Sequence, residues 1–246
     1  MTAAALPGEG TRDGAGWTRD AWLGQRLGVP AWRLDPTVPG WADAMAGVLN
    51  RKGFAYARLP TADVGALGKL LDAGFRVVDT TMTAEREAEG LTPSPKGWVR
   101  FAEPGDRYAV RAVARRAFRF SRFHLDPAIA ASTADMTRAD WIDGYFDGGR
   151  GSAMVVAGLP GAEPSGFLLL LGPEKGTLVI DLIAVDESAR GQGLATGMIA
   201  FAAGRIAGVD RLRVSTQAAN IPSLRLYGRM GFLLVSSHYV VHLHHG

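Results

Sequence analysis

Residues 190–197 read "RGQGLATG". They follow the apolar run "TLVIDLIAV" (177–185) and precede the helical pattern "MIAFAAGRIAG" (198–208). A glycine-rich stretch between a strand and a helix leaves backbone N–H groups without partners at the helix start, and such groups bind anions, phosphate above all. Which phosphate sits there decides what the chain does.

Two familiar phosphate loops do not fit. The dinucleotide fingerprint Gly-x-Gly-x-x-Gly needs a third glycine where Thr196 stands, Gly197 coming one place late, and its fold opens with the loop rather than ending soon after it. A P-loop needs Lys and then Ser or Thr after its last glycine, where this chain has "GMIA". What does fit is Arg/Gln-x-x-Gly-x-Gly/Ala, filled by Arg190, Gly193 and Ala195. A second stretch, "NIPSLRLYGRMGF" (220–232), places Asn220 at a helix start, Tyr227 seven residues later, and Gly231–Phe232 at a strand entry. The two motifs in this order resemble the GNAT superfamily of acyl-CoA-dependent N-acyltransferases over about residues 98–246.

That resemblance implies a cofactor site and a mechanism. Acetyl-CoA is the implied co-substrate. Its pyrophosphate would lie on the backbone of Arg190, Gly191, Gln192, Gly193, Leu194, Ala195 and Thr196, with Asn220 and Ser223 contributing from the second motif. The splayed strand before the loop, Leu182, Ile183, Ala184 and Val185, would hold the pantetheine arm and polarise the thioester. Tyr227 is the candidate acid for the leaving thiolate, since a phenol near its reference pKa of about 10 is protonated at neutral pH.

The remaining candidates come from the residues themselves. Asp181 interrupts an apolar strand, and simple alternation puts it on the face of Ile183 and Val185. A carboxylate there is costly unless paired or wet, so it is the candidate general base, with an ion pair as the other reading. "SRFHLDP" (121–127) lies after the first helix of this half, where the family places a substrate loop; Arg122 and His124 are its candidate substrate contacts. The C-terminal "HYVVHLHH" (238–245) has no neighbouring carboxylate or cysteine in sequence, and alternation divides its histidines between two faces, so no metal is expected.

Working outward, residues 98–246 read as β-α-α-β-β-β-α-β-α-β, a mixed α/β sheet flanked by helices. Residues 21–86 carry a β-α-β unit: a helix over "WADAMAGVLNRK" (41–52), a strand "FAYARLP" (54–60), a helix "ADVGALGKLLDAG" (62–74) and a strand "FRVVDTTMTAE" (75–85). Residues 1–20 read as a disordered leader and 87–97, with their Gly and prolines, as a linker. The layout resembles dTDP-4-amino-6-deoxysugar N-acetyltransferases, in which a truncated GNAT-like unit precedes the acetyltransferase domain.

Composition excludes other classes. Of 246 residues 47% are hydrophobic and 21% charged, and no stretch approaches the roughly 20 apolar residues of a membrane helix. No cysteine is present, which removes disulfides, thiolate metal sites and a cysteine acyl intermediate. A net charge of +3 does not argue for nucleic acid. The basic stretch "RAVARRAFRFSR" (111–122) is either a solvated helix face or a contact for an anionic substrate. The expectation is a cytoplasmic enzyme acting on a small-molecule amine, with homodimer pairing through an exposed last strand; another small amine, a protein amine and a non-catalytic acyl-CoA sensor stay open.

Overall fold

A long, near-continuous apolar strand such as "GFLLLLG" needs cover on both faces. The computed structural model, which describes residues 11–49, 52–92 and 95–246, supplies it. In β8 (Gly166–Glu174) the side chains Phe167, Leu168, Leu169 and Leu170 are all fully buried. Leu168 and Leu170 pack towards α6 (Leu194–Arg205), and Phe167 and Leu169 towards α4 (Arg107–Ala117) and α5 (Ala131–Phe146).

The second half follows the expected order. After β6 (Trp98–Phe101), α4 and α5 come β7 (Ala153–Gly158), β8, β9 (Thr177–Val185), α6, β10 (Arg211–Gln217), α7 (Ile221–Arg229) and β11 (Leu233–His245). In the first half, β3 (Ala31–Leu34), α2 (Trp41–Leu49), β4 (Gly53–Pro60), α3 (Val64–Asp72) and β5 (Arg76–Glu87) alternate. Residues 50 and 51, within the expected first helix, lie outside the described residues.

Residues 11–20 depart from the expectation of a leader. They form a hairpin of β1 (Arg12–Gly14) and β2 (Trp17–Arg19), and Asp20 caps α1 (Ala21–Leu27). Trp17 is fully buried and its indole N–H donates to the Trp41 carbonyl at 3.0 Å. One large aromatic with a satisfied N–H anchors a segment whose Gly and Thr content looked unstructured. Residues 1–10 lie outside the described residues.

All eleven strands among the described residues form one sheet, ordered β1-β2-β3-β4-β11-β5-β10-β9-β8-β7-β6. Strands β3/β4 and β9/β10 are parallel pairs, and the rest are antiparallel. The halves interlock. β11, from the end of the chain, lies between β4 and β5; β5, from the first half, lies between β11 and β10. The last strand is therefore no free edge: His238–His245 pair with β4, and only its first residues, with Leu233, Leu234 and Val235 exposed, pass beyond that partner. The premise for dimer pairing through that strand falls.

The halves also share a core. Leu23, Phe54 and Tyr56 pack with Phe123 and Ala134 from the second half. The stretch expected as a linker touches the glycine loop, its Lys96 N–H donating to the Gln192 carbonyl at 2.9 Å; residues 93 and 94 lie outside the described residues. No helix among the described residues is long and apolar enough to cross a membrane.

Candidate active site

The site begins where a ladder ends. β9 and β10 pair in parallel from Thr177–Arg211 to Ile180–Val214 and no further. Beyond that point Ser215, Thr216 and Gln217 continue only beside Thr83, Met82 and Thr81 of β5. Leu182, Ile183, Ala184 and Val185 keep β8 as partner, and among the described residues no strand pairs with their other edge. Backbone groups on such an edge must find a partner outside the ladder. These are the four residues for which the resemblance implied a role.

The glycine loop closes the top of this opening. After a 3₁₀ turn, Glu187–Ala189, the chain passes through Gly191 and Gly193, whose φ values of 76° and 74° favour glycine. Gly193 is the N-cap of α6, and the first amide bonded within that end of the helix is Gly197, to the Gly193 carbonyl. The earlier N–H groups, those of Leu194, Ala195 and Thr196, are the ones a helix start leaves for an anion. Thr196 Oγ1 donates to the Gly193 carbonyl and steadies the turn. Arg190 is exposed and reaches back, Nε to the Val185 carbonyl at 3.3 Å, joining the loop to the free edge of β9. Gly197 has a packing reason: a Cβ there would meet the Pro95 ring at 2.9 Å.

α7 borders the opening on the other side. Asn220 spends its amide on structure, Oδ1 accepting from the Ser223 N–H at 3.3 Å and Nδ2 donating to Thr216 Oγ1 at 3.2 Å. Ser223 enters through that backbone N–H. Two turns on, Tyr227 is 4% exposed, stacks edge-on against Phe232 and packs in the cluster holding Ile180, Leu194 and Val214. Burial alone pushes its hydroxyl well above the ordinary phenol value. The group therefore stays protonated at neutral pH, as an acid must.

Asp181 is on the other face from the one alternation suggested. Leu169 pairs with Leu182 but Leu170 with Ile180, so Asp181 is the extra residue of a β-bulge, and the bulge resets the alternation. Ile183 and Val185 pack towards α6. Asp181 instead meets Arg150, with Nε at 3.0 Å and Nη2 at 2.7 Å from its Oδ2. The pair is largely buried, and Arg150 lies over the Trp141 ring of α5, 4.6 Å from its centroid. Of the two readings from the sequence, the ion pair is the one on view.

The loop after α4 carries the remaining candidates. His124 has both ring nitrogens engaged, Nδ1 with Ser121 Oγ at 2.6 Å and Nε2 with Asp135 Oδ1 at 2.9 Å. Burial lowers its pKa. With no nitrogen to spare it positions the loop. Arg122 lies 3.9 Å over the Tyr56 ring and 4.5 Å over Phe123. Asp126, in the same loop, accepts from His242 Nδ1 at 2.7 Å and His244 Nε2 at 2.8 Å. The reason given for expecting no metal is thus corrected: the fold brings a carboxylate to the histidines, and two of them, two residues apart on β11, reach it together. These three groups lie within 4.8 Å of one another, and at present hydrogen bonds join them.

Three residues near the opening were not singled out from sequence. Arg138 of α5 is buried, with its guanidinium 4.2 Å from the Trp141 centroid. Arg150 has no motif around it. Asp79 on β5 is 6% exposed, and burial pushes its carboxyl up despite a 3.2 Å hydrogen bond from Thr81. The only signal for Asp79 was a charged residue inside "RVVDTTMT". A surface cavity of about 400 Å³ lined by Trp98, Arg100, Asp106 and Tyr108 includes none of these groups.

Known proteins resemble this chain in sequence and in fold. The spore coat polysaccharide biosynthesis protein SpsD of Bacillus subtilis is 31% identical over 199 residues, covering 79% of this chain and 68% of that protein. A conserved protein of unknown function from Staphylococcus epidermidis has the same fold, with a TM-score of 0.67 at 15% identity over 99% of this chain and 96% of its own. A GCN5-related N-acetyltransferase from Kribbella flavida superposes with a TM-score of 0.61 at 16% identity, over 97% and 91% of the two chains. Residues 109–232, from α4 to the end of the second motif, match the model of the acetyltransferase (GNAT) family, and it is to this family that the chain belongs.

Proposed function

We propose that the chain transfers an acetyl group from acetyl-CoA to a primary amine, in a ternary complex and without a metal, and that the amine belongs to a sugar nucleotide of the dTDP-4-amino-6-deoxysugar kind. The observation that carries the transfer is the parting of β9 from β10 beside the glycine loop, with Tyr227 in the core cluster that holds the last paired residues, Ile180 and Val214. The sugar is supported by the relative named for spore coat polysaccharide biosynthesis and by the two-part layout of the sequence. In this reading the enzyme works in the cytoplasm and needs neither nucleic acid nor membrane.

Acetyl-CoA supplies the activated thioester carbon. The N–H groups of Leu194, Ala195 and Thr196 hold the pyrophosphate, with Arg190 adding charge at the exposed rim. The free edge of Leu182–Val185 aligns the pantetheine arm and donates to the carbonyl oxygen as the tetrahedral oxyanion forms, the largest single contribution in acyl transfer of this type. The amine nitrogen bonds to the carbonyl carbon, the carbon–sulfur bond breaks, and Tyr227 gives its proton to the departing thiolate. The amine loses a proton to a carboxylate at the opening. In this reading Asp181, held by Arg150, takes it. A second reading is Asp79, because burial raises its pKa above the ordinary carboxylate value and its neighbour Gln217 ends the strand that leaves β9.

The test is release of free CoA from acetyl-CoA over a panel of amines that includes dTDP-4-amino sugars. Turnover confined to the sugar nucleotides supports the reading. Turnover on other amines alone removes the sugar, and tight acetyl-CoA binding with no turnover removes the enzyme in favour of a sensor.

A further inference from the structure

On the α5 side of the sheet the guanidinium groups of Arg122 and Arg150 are both near enough to Arg138 to act on its charge. Arg150 is matched by Asp181. Arg138 is not matched. Its side chain is buried, its Nε has no hydrogen-bond partner, and among the described residues no carboxylate forms an ion pair with it. What it has instead is aromatic surface: Trp141 at 4.2 Å and Phe118 at 5.2 Å from the guanidinium carbon. Arg122 is in a similar state, stacked on Tyr56 and Phe123, with His242 Nε2 at 3.5 Å as its polar neighbour. The carboxylate that could have served it, Asp126, is taken by two histidines.

A buried guanidinium without a counter-charge is costly, and flat aromatic cover does not replace a carboxylate. Arg138 feels Asp181 in its favour and both Arg122 and Arg150 against it, and burial holds its pKa down to about 9. The group remains charged at neutral pH. Arginine forks fit carboxylate and phosphate oxygens in pairs, and aromatic stacking keeps such a fork in one plane while its N–H edges stay available.

We propose that Arg138 and Arg122 bind an anionic group, phosphate or carboxylate, of the acceptor, and so make the enzyme selective for anionic amines. The inference rests on the reading above only in taking this side of β9 as the acceptor's entrance; it names the charge the acceptor must carry. The phosphate of a sugar nucleotide satisfies it, and so does an amino acid carboxylate.

The test is made with the full chain and the CoA site saturated with CoA, so that added anions report on the acceptor side. Thymidine diphosphate, succinate and uncharged thymidine are titrated against the wild type, Arg138→Gln and Arg122→Gln. The expected result is that one of the two anions binds the wild type at least tenfold more tightly than either variant, while thymidine does not discriminate among the three. Thymidine diphosphate binding identifies phosphate; succinate binding identifies carboxylate. In turnover, kcat/KM for an anionic amine relative to an uncharged one falls 10- to 100-fold in both variants, with the KM for acetyl-CoA unchanged. Equal anion binding by wild type and variants overturns the proposal. It also fails if Arg138→Met lowers the melting temperature and leaves anion selectivity intact, since Arg138 is then a packing residue. Sugar-nucleotide turnover that ignores both substitutions removes this inference and leaves the function standing; anion binding lost in the variants without sugar turnover does the reverse.

Discussion

His242 donates to Asp126 through Nδ1 at 2.7 Å and is all but inaccessible, at 1% side-chain exposure. Its other nitrogen faces Arg122 at 3.5 Å, so the ring is the neutral tautomer with its proton on Nδ1. Burial first, then Arg122 and His244, hold its pKa down to about 4 against the hydrogen bond to Asp126. The unfolded chain takes a proton near pH 6.5 that the folded chain refuses until about pH 4. Stability is therefore lost as pH falls through that window, by up to about 3 kcal/mol from this group. Asp126 is held below its ordinary value, mainly by His242 and His244 acting against its burial. Its contribution is present above pH 4 and is lost with further acid, so the sign is the same. Melting temperature measured from pH 7 to 4 should fall for the wild type and fall less for His242→Gln; equal slopes remove the assignment.

The Asp181–Arg150 pair makes a separable prediction. Asp181→Asn leaves Arg150 buried without its partner, which costs about 3–5 kcal/mol for a buried pair. Restoring the match with Asp181→Asn together with Arg150→Gln should recover most of the stability. Activity distinguishes the two candidate bases. If Asp181 takes the proton, the double variant stays about 10²–10⁴-fold slow although stable; if Asp79 does, Asp79→Asn is slow and the double variant retains most of its rate. The check is kcat with chemical denaturation on the same samples.

Trp17→Ala is expected to lower stability by about 3–5 kcal/mol, because it removes a fully buried indole and leaves the Trp41 carbonyl without its donor. A substitution in a leader would change nothing measurable. Thermal unfolding decides between the two.

What the residues disclosed in advance, and what they did not, follows from the range of the interactions. Helix α6, its glycine loop and the Asn220 cap were legible because caps and turns are local, written in residues three or four apart. The order of elements in the second half was legible for the same reason. The interlock of β11 with β5 was not, since pairing residues 76–85 with 233–242 leaves no periodic trace in either strand. The face of Asp181 was misjudged because one bulged residue reverses alternation, and a bulge shows in the partner's register rather than in the strand's own composition. Asp126 meets His242 only once the loop after α4 lies against β11, and Arg138 meets Phe118 only once α5 packs on the end of α4; Trp141, one turn along α5 from Arg138, was the local part of that cluster.

Tyr227 offers the sharpest test of the chemistry. Its raised pKa has burial as the sole cause, and no neighbouring charge competes for the proton. Tyr227→Phe keeps the ring, its edge-on packing on Phe232 and the surrounding cluster, and removes only the oxygen and its proton. Stability should change by less than about 1 kcal/mol. If the hydroxyl returns the proton to the departing thiolate, kcat falls by about 10²–10⁴-fold while the KM for acetyl-CoA stays near its wild-type value. The loss should shrink with an acyl donor whose thiol is a better leaving group, because that thiolate needs no proton in the transition state. A drop in kcat of the same size for all donors assigns the tyrosine to positioning, and a rise in KM with kcat unchanged assigns it to binding.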